Sequence, residues 1–182
     1  CDCGTASVAE VAESEAQGVP VIITDHHEPG PVLPAAAALL NPKQPGDEFP
    51  DKDLCGTGVA FFLIIALRRA LREIGWFATH QEPNLKSLLD VVAIATIGDV
   101  VPLTGVNRIL VRDGMPLLAA GVRPGIAALQ AVAMTRDHFD EATTGFSPLP
   151  PLRSACQRGA DGCAGRKTAP PVCRCKTRCL PD

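Results

Sequence analysis

Three side chains that bind metals readily close an apolar run in VPVIITDHHEPGPVLP, residues 19–34: Asp25, His26 and His27. Two further aspartates stand in similar places. Asp2 lies in the opening CDCGT, and Asp99 follows the apolar stretch VVAIATIG. Carboxylate oxygens and imidazole nitrogens together form a donor set that divalent ions accept, manganese better than magnesium because imidazole is softer than water. If the three segments end at one edge of a sheet, their polar groups converge there. The same residues also have ordinary uses. An aspartate at a strand end serves as a turn or cap residue, and a His-His pair is commonly solvated or hydrogen-bonded in a core. The DHH tripeptide by itself leaves the two readings evenly balanced.

The elements that must position these groups alternate. Residues 7–17 place Val8, Val11 and Ala12 on one helical stripe, with Glu10, Glu13 and Glu15 outside and Gly18 as a stop. Val19 to Thr24 is a short β-rich run suited to a strand covered on both faces. Pro29, Gly30, Pro31 and Pro34 break the chain before a second short strand at 37–40. Helices are expected over residues 58–73, 85–95, 107–120 and 125–133, and TIGDVVPLTG reads as a helix or strand end that turns into a loop. This alternation predicts an α/β fold, a mostly parallel sheet flanked by helices, with ligand groups at the carboxyl ends of the strands.

Composition excludes several classes. A chain of 182 residues with 46% apolar content can bury a core, and its length suggests one domain with an appendage. A net charge of -3 gives no long-range attraction to nucleic acid or anionic lipid, so phosphate binding must be local or use metal. The longest apolar candidate, VAFFLIIALRRAL, is cut by Arg68 and Arg69, short of the ~18 residues that span a bilayer. With no signal-peptide pattern either, the expectation is a cytoplasmic protein without a membrane segment.

The end of the chain differs from the body. Of eight cysteines, Cys156, Cys163, Cys173, Cys175 and Cys179 crowd into the tail, and Pro148 to Asp182 carries five Arg and two Lys against two Asp. CRCKTRC lacks the paired C-x2-4-C knuckles of a structural zinc site. The expected organisation is a body at 1–134 and, at 135–182, a Cys/Pro/Arg-rich tail that is irregular and disordered, or the product of a damaged or shifted reading frame.

Several motifs occur together in order: DCGT at 2–5, TDHHEPG at 24–30, NPKQ at 41–44, LCGTGVAFFL at 54–63 and ATIGDVVPLTGVNRILVRDGM at 95–115. As a set they resemble the DHH phosphoesterase superfamily, and within it the branch of bacterial exonucleases specific for single-stranded DNA. The resemblance covers residues 1 to about 134. It implies two-metal phosphodiester hydrolysis with Mn2+ or Mg2+, releasing nucleotides 5′ to 3′ from single-stranded DNA. Carried over residue by residue, it makes Asp2 the ligand shared between ions, His26 and Asp99 further metal ligands, and His27 the group that faces the phosphate. Asp25 joins His27 in the catalytic set by orienting an imidazole. These roles require the oxygens of Asp2 and Asp99 and a ring nitrogen of His26 to lie within about 6 Å of one another.

The resemblance also implies parts that differ here. An aspartate-rich first motif, D-x-D-x-D-G, would precede Cys1 together with an N-terminal strand, so the chain is expected to be a fragment with little activity of its own. Downstream, GFSPLPPLRSACQR keeps only part of the corresponding pattern, with Arg158 as the candidate substrate-binding, phosphate-contacting arginine. Two other functions share many of these features: a DHH phosphodiesterase acting on oligonucleotides or cyclic dinucleotides, and a scaffold that has lost catalysis. Retention of Asp2, His26, His27 and Asp99 together argues against the scaffold. Asn107 and Arg108 are as readily structural as phosphate-binding, Trp76 and Phe77 read as packing residues, and His80 and His138 read as solvated.

Overall fold

The computed structural model describes residues 1–134; the expected tail and Arg158 lie outside the described residues. Helix α1 (Val8–Ala16) leads into strand β1 (Ile22–Thr24), and after a proline-broken crossover strand β2 (Ala38–Leu40) pairs with it. The pairing is parallel, with Ile22 opposite Ala38 and Thr24 opposite Leu40. Helices α2 (Gly56–Glu73), α3 (Leu89–Gly98), α4 (Gly105–Ala120) and α5 (Pro124–Met134) follow. The fold is α/β with a small parallel sheet, as the alternation predicts.

β1 is shorter than its apolar run because the first residues of that run are bound to α1. The Val19 amide donates to Ser14 O at 3.0 Å, and the Val21 amide donates to Glu15 Oε1 at 2.9 Å. Those donors are therefore lost to the sheet. On the other edge of β1, the Asp2 amide donates to Thr24 O at 2.7 Å, so the opening residues run beside the strand's carboxyl end.

The apolar segment 85–98 is helical, not a strand. It starts as a 3-10 turn over Leu85–Leu88, capped by Asn84, and continues as α3 to Gly98. It packs between α2 and α4, and Phe61, Leu85, Leu89, Val92 and Leu110 form one buried cluster. Burial on most of its surface explains why its sequence shows little polar alternation. The one charge within α3, Asp90, is buried and meets Arg123 Nε at 2.7 Å, while Arg123 also donates to Ser87 O. Close approach of α4 to α3 depends on Gly114, where a side-chain carbon would come within 2.7 Å of Ala93 Cβ.

The loop between β2 and α2 is tied to the start of α4. Asp51 Oδ2 accepts the Val106 amide at 3.0 Å, and Asn107 Nδ2 donates to Asp53 O at 2.8 Å and to Pro102 O at 3.0 Å. Asn107 is buried and holds this junction together, which resolves its two readings in favour of structure. Trp76 is 47% exposed rather than packed inside, and its ring stacks on His80 with centroids 4.2 Å apart. His80 is therefore covered on one face.

Candidate metal centre

The buried base of the site is Asp25, which is 2% exposed. Its Oδ2 accepts the Thr5 amide at 2.9 Å. Its Oδ1 accepts the amides of His26 at 2.8 Å and His27 at 3.2 Å, and lies 2.7 Å from His27 Nδ1. Burial pushes the Asp25 pKa up, but the hydrogen bonds from Thr5, the His27 ring and the His26 amide outweigh it. The net effect holds this carboxyl well below the usual carboxylate range. An ionised carboxylate only accepts, so Nδ1 of His27 carries the proton and Nε2 is the ring nitrogen left available. The His27 side chain is 62% exposed.

Asn41, from NPKQ, locks this arrangement. Its Nδ2 donates to Thr5 Oγ1 at 3.1 Å and to His27 O at 2.9 Å, and its Oδ1 accepts the Lys43 amide. Thr5 and Asn41 are both fully buried. Sequence reasoning assigned neither a part in the site; their presence in the DCGT and NPKQ motifs was the only signal.

His26 turns the other way and brings two distant carboxylates together. Its Nε2 lies 3.2 Å from Asp2 Oδ1 and 3.3 Å from Asp99 Oδ2. The imidazole is 11% exposed, whereas the carboxylates of Asp2 and Asp99 reach solvent. Ligand atoms of Asp2, His26 and His27 also all lie within 4.8 Å of one another. The chain thus groups Asp2, His26 and Asp99, with Asp25 and His27 adjoining them.

Asp99 reaches this cluster from the end of a helix, not a strand. It is the C-cap of α3, and its amide donates to Ala95 O at 2.9 Å. The next residue, Val100, has φ of 59°, and Asp2 itself has φ of 60°. Left-handed backbone is costly for a residue with a side chain, most of all a β-branched one. Both non-glycine residues with positive φ among those described are thus a member of the cluster and the immediate neighbour of one. Such strain persists where surrounding contacts impose it.

The donor set fits a divalent cation. Adjacent donors around an octahedral ion with bonds of about 2.1 Å are about 3 Å apart, close to the two separations at His26 Nε2. Two carboxylates facing one imidazole nitrogen also concentrate negative charge, which a cation offsets. Cys55, at the start of α2, is not a ligand of this kind. Burial pushes its thiol pKa up, and its Sγ accepts the Gly58 amide and sits 3.4 Å from Thr96 Oγ1.

A parallel strand pair carrying Asp-His-His at its carboxyl end, completed by aspartates from two other segments, defines a class as well as a geometry. The family model described as "DHH family, N-terminal domain" matches residues 1–96, just over half the chain, and the chain belongs to that family. Among curated proteins it is similar to the single-stranded-DNA-specific exonuclease RecJ. It is 48% identical to RecJ of Dickeya dadantii over 159 residues, covering 85% of this chain and 27% of that one. The corresponding figures for RecJ of Escherichia coli are 49% identity over 159 residues, 85% and 27%. The chain therefore spans about a quarter of the length of these relatives. Among solved structures, an exonuclease RecJ bound to manganese superposes with a TM-score of 0.67 at 31% identity, covering 87% of this chain and 37% of that one. RecJ from Thermus thermophilus in complex with Mn2+ gives a TM-score of 0.65 at 31% identity, covering 87% and 22%.

Proposed function

We infer that the chain forms part of a divalent-metal-dependent phosphodiesterase that releases nucleotides from single-stranded DNA, stepwise from the 5′ end. The observation that carries this reading is His26 Nε2 standing 3.2 and 3.3 Å from the carboxylates of Asp2 and Asp99. The similarity to RecJ proteins supports the choice of substrate.

Asp2, His26 and Asp99 would hold the ion, and the mixed oxygen and nitrogen donors favour Mn2+ over Mg2+. A divalent ion bound there supplies Lewis-acid charge at the phosphate and lowers the pKa of an attacking water. The remaining work falls to the chain's own groups. His27, with Nδ1 fixed on Asp25, offers Nε2 to a phosphate oxygen; when protonated it donates and offsets the charge that grows in the transition state. Asp25 touches no substrate. It fixes the ring of His27 and balances its charge when the ring is protonated.

Two measurements test this reading. The 182-residue chain titrated with Mn2+ and followed by electron paramagnetic resonance should bind the ion, and His26→Ala should lose it. Residues 1–134 of this chain, grafted into the Dickeya relative in place of its matching segment, should give a chimera that degrades 5′-blocked and free single strands differently and is inactivated by Asp99→Ala. A chimera that keeps its activity with Asp99→Ala would refute the assignment. One that cleaves only cyclic dinucleotides or short oligonucleotides would redirect the substrate.

A further inference from the structure

We propose that Gly56, the first residue of α2, is a positioning residue for the metal centre, kept free of a side chain so that the carboxylate of Asp2 can occupy that space. The proposal rests on the metal reading above. A Cβ built on Gly56 would overlap Asp2 Oδ1 and stand only 2.8 Å from Asp2 Cγ and 3.1 Å from Asp2 Cβ. The overlapped atom is the same oxygen that lies 3.2 Å from His26 Nε2. Any side chain at 56 must therefore displace a member of the cluster.

Two features decide what gives way. Gly56 is buried in the first turn of an 18-residue helix that is tied to its surroundings through Cys55 and the Phe61 cluster. Asp2 has its backbone held by Thr24 O, but its carboxylate is 63% exposed and can swing into solvent. The cheap response to a methyl group at 56 is thus rotation of Asp2 away from His26. The displaced oxygen has to move by on the order of 1 Å to restore van der Waals contact, whereas ligand positions tolerate only ~0.2 Å. Helix formation itself does not require glycine here, since alanine is the better helix former. The left-handed backbone of Asp2 adds to the argument: a strained residue is held where its carboxylate meets both Gly56 and His26.

The test compares Gly56→Ala, Asp2→Ala and the double variant in the full 182-residue chain. Mn2+ affinity is read by electron paramagnetic resonance, and the stability of the metal-free protein by thermal unfolding. Gly56→Ala should weaken Mn2+ binding about tenfold or more, the range seen when a ligand's support is lost, while the metal-free melting temperature changes little. In the Asp2→Ala background the same substitution should cost no further affinity, because the two changes act on one contact. Wild-type affinity in Gly56→Ala would overturn the proposal alone. Absence of Mn2+ binding by the wild-type chain would overturn the metal reading and this inference with it. Should Gly56→Ala fail to fold, folding of the double variant would support the steric conflict with Asp2, and failure of both would refute it.

Discussion

Replacing Asp25 by asparagine removes one negative charge and almost no volume, so its effect isolates the hydrogen bonds that this carboxylate accepts. Oδ2 takes the Thr5 amide, and Oδ1 takes two amides and the His27 ring. An asparagine has one accepting oxygen and one donating nitrogen. With the oxygen kept toward His26 and His27, the new NH2 group faces the Thr5 amide, donor against donor, in a site that is 2% exposed. Stranding a buried donor costs ~1–3 kcal/mol, and the other bonds lose the charge that strengthened them. A total loss of about 3 kcal/mol follows, which at ~2–4 °C per kcal/mol lowers the melting temperature by about 6–12 °C.

The pH dependence gives this prediction its sharper edge. Asp25 has a folded pKa below its unfolded value, so its contribution is fully present above the unfolded value of about 3.9. Below that it is lost at up to about 1.4 kcal/mol per pH unit as the pH falls toward the folded pKa. Thermal or urea unfolding of both proteins between pH 7 and pH 2.5 should show a constant gap above about pH 5 that narrows below about pH 4. A gap under 0.5 kcal/mol at pH 7, or one that does not narrow in acid, would show that the Asp25 hydrogen bonds do not carry the stability ascribed to them.

Other perturbations have equally definite outcomes. Arg123→Ala should destabilise the chain by about 3 kcal/mol, because Asp90 then remains as an unpaired charge in a buried position; the double variant with Asp90→Leu should recover much of that loss in urea unfolding. Val100→Gly relieves a left-handed valine, so the metal-free chain should gain about 1 kcal/mol or less. The same change frees the turn that aims Asp99, and Mn2+ binding should weaken severalfold in the same preparation. A gain in stability with unchanged affinity would detach the strain at Val100 from the metal centre.

The sequence by itself determined the local parts of this protein. Among the described residues, apolar runs, glycines and prolines located both strands and the five α-helices to within a few residues, because propensity and chain-breaking act over short spans. DHH at the end of β1 was legible for the same reason, and the ordered motifs brought in Asp2 and Asp99. Tertiary structure decided the rest. VVAIATIG could end as helix or strand on sequence grounds, and packing between α2 and α4 made it helix, so Asp99 arrives as a helix cap. The first residues of the β1 run were claimed by hydrogen bonds to α1. Asn41 and Thr5 meet across 36 residues of chain to fix His27, and Gly56 matters only because Asp2 folds against it. None of these contacts has a local signature. A buried hydrogen bond or a close approach depends on which distant groups share the space, and that is settled only when the layers pack.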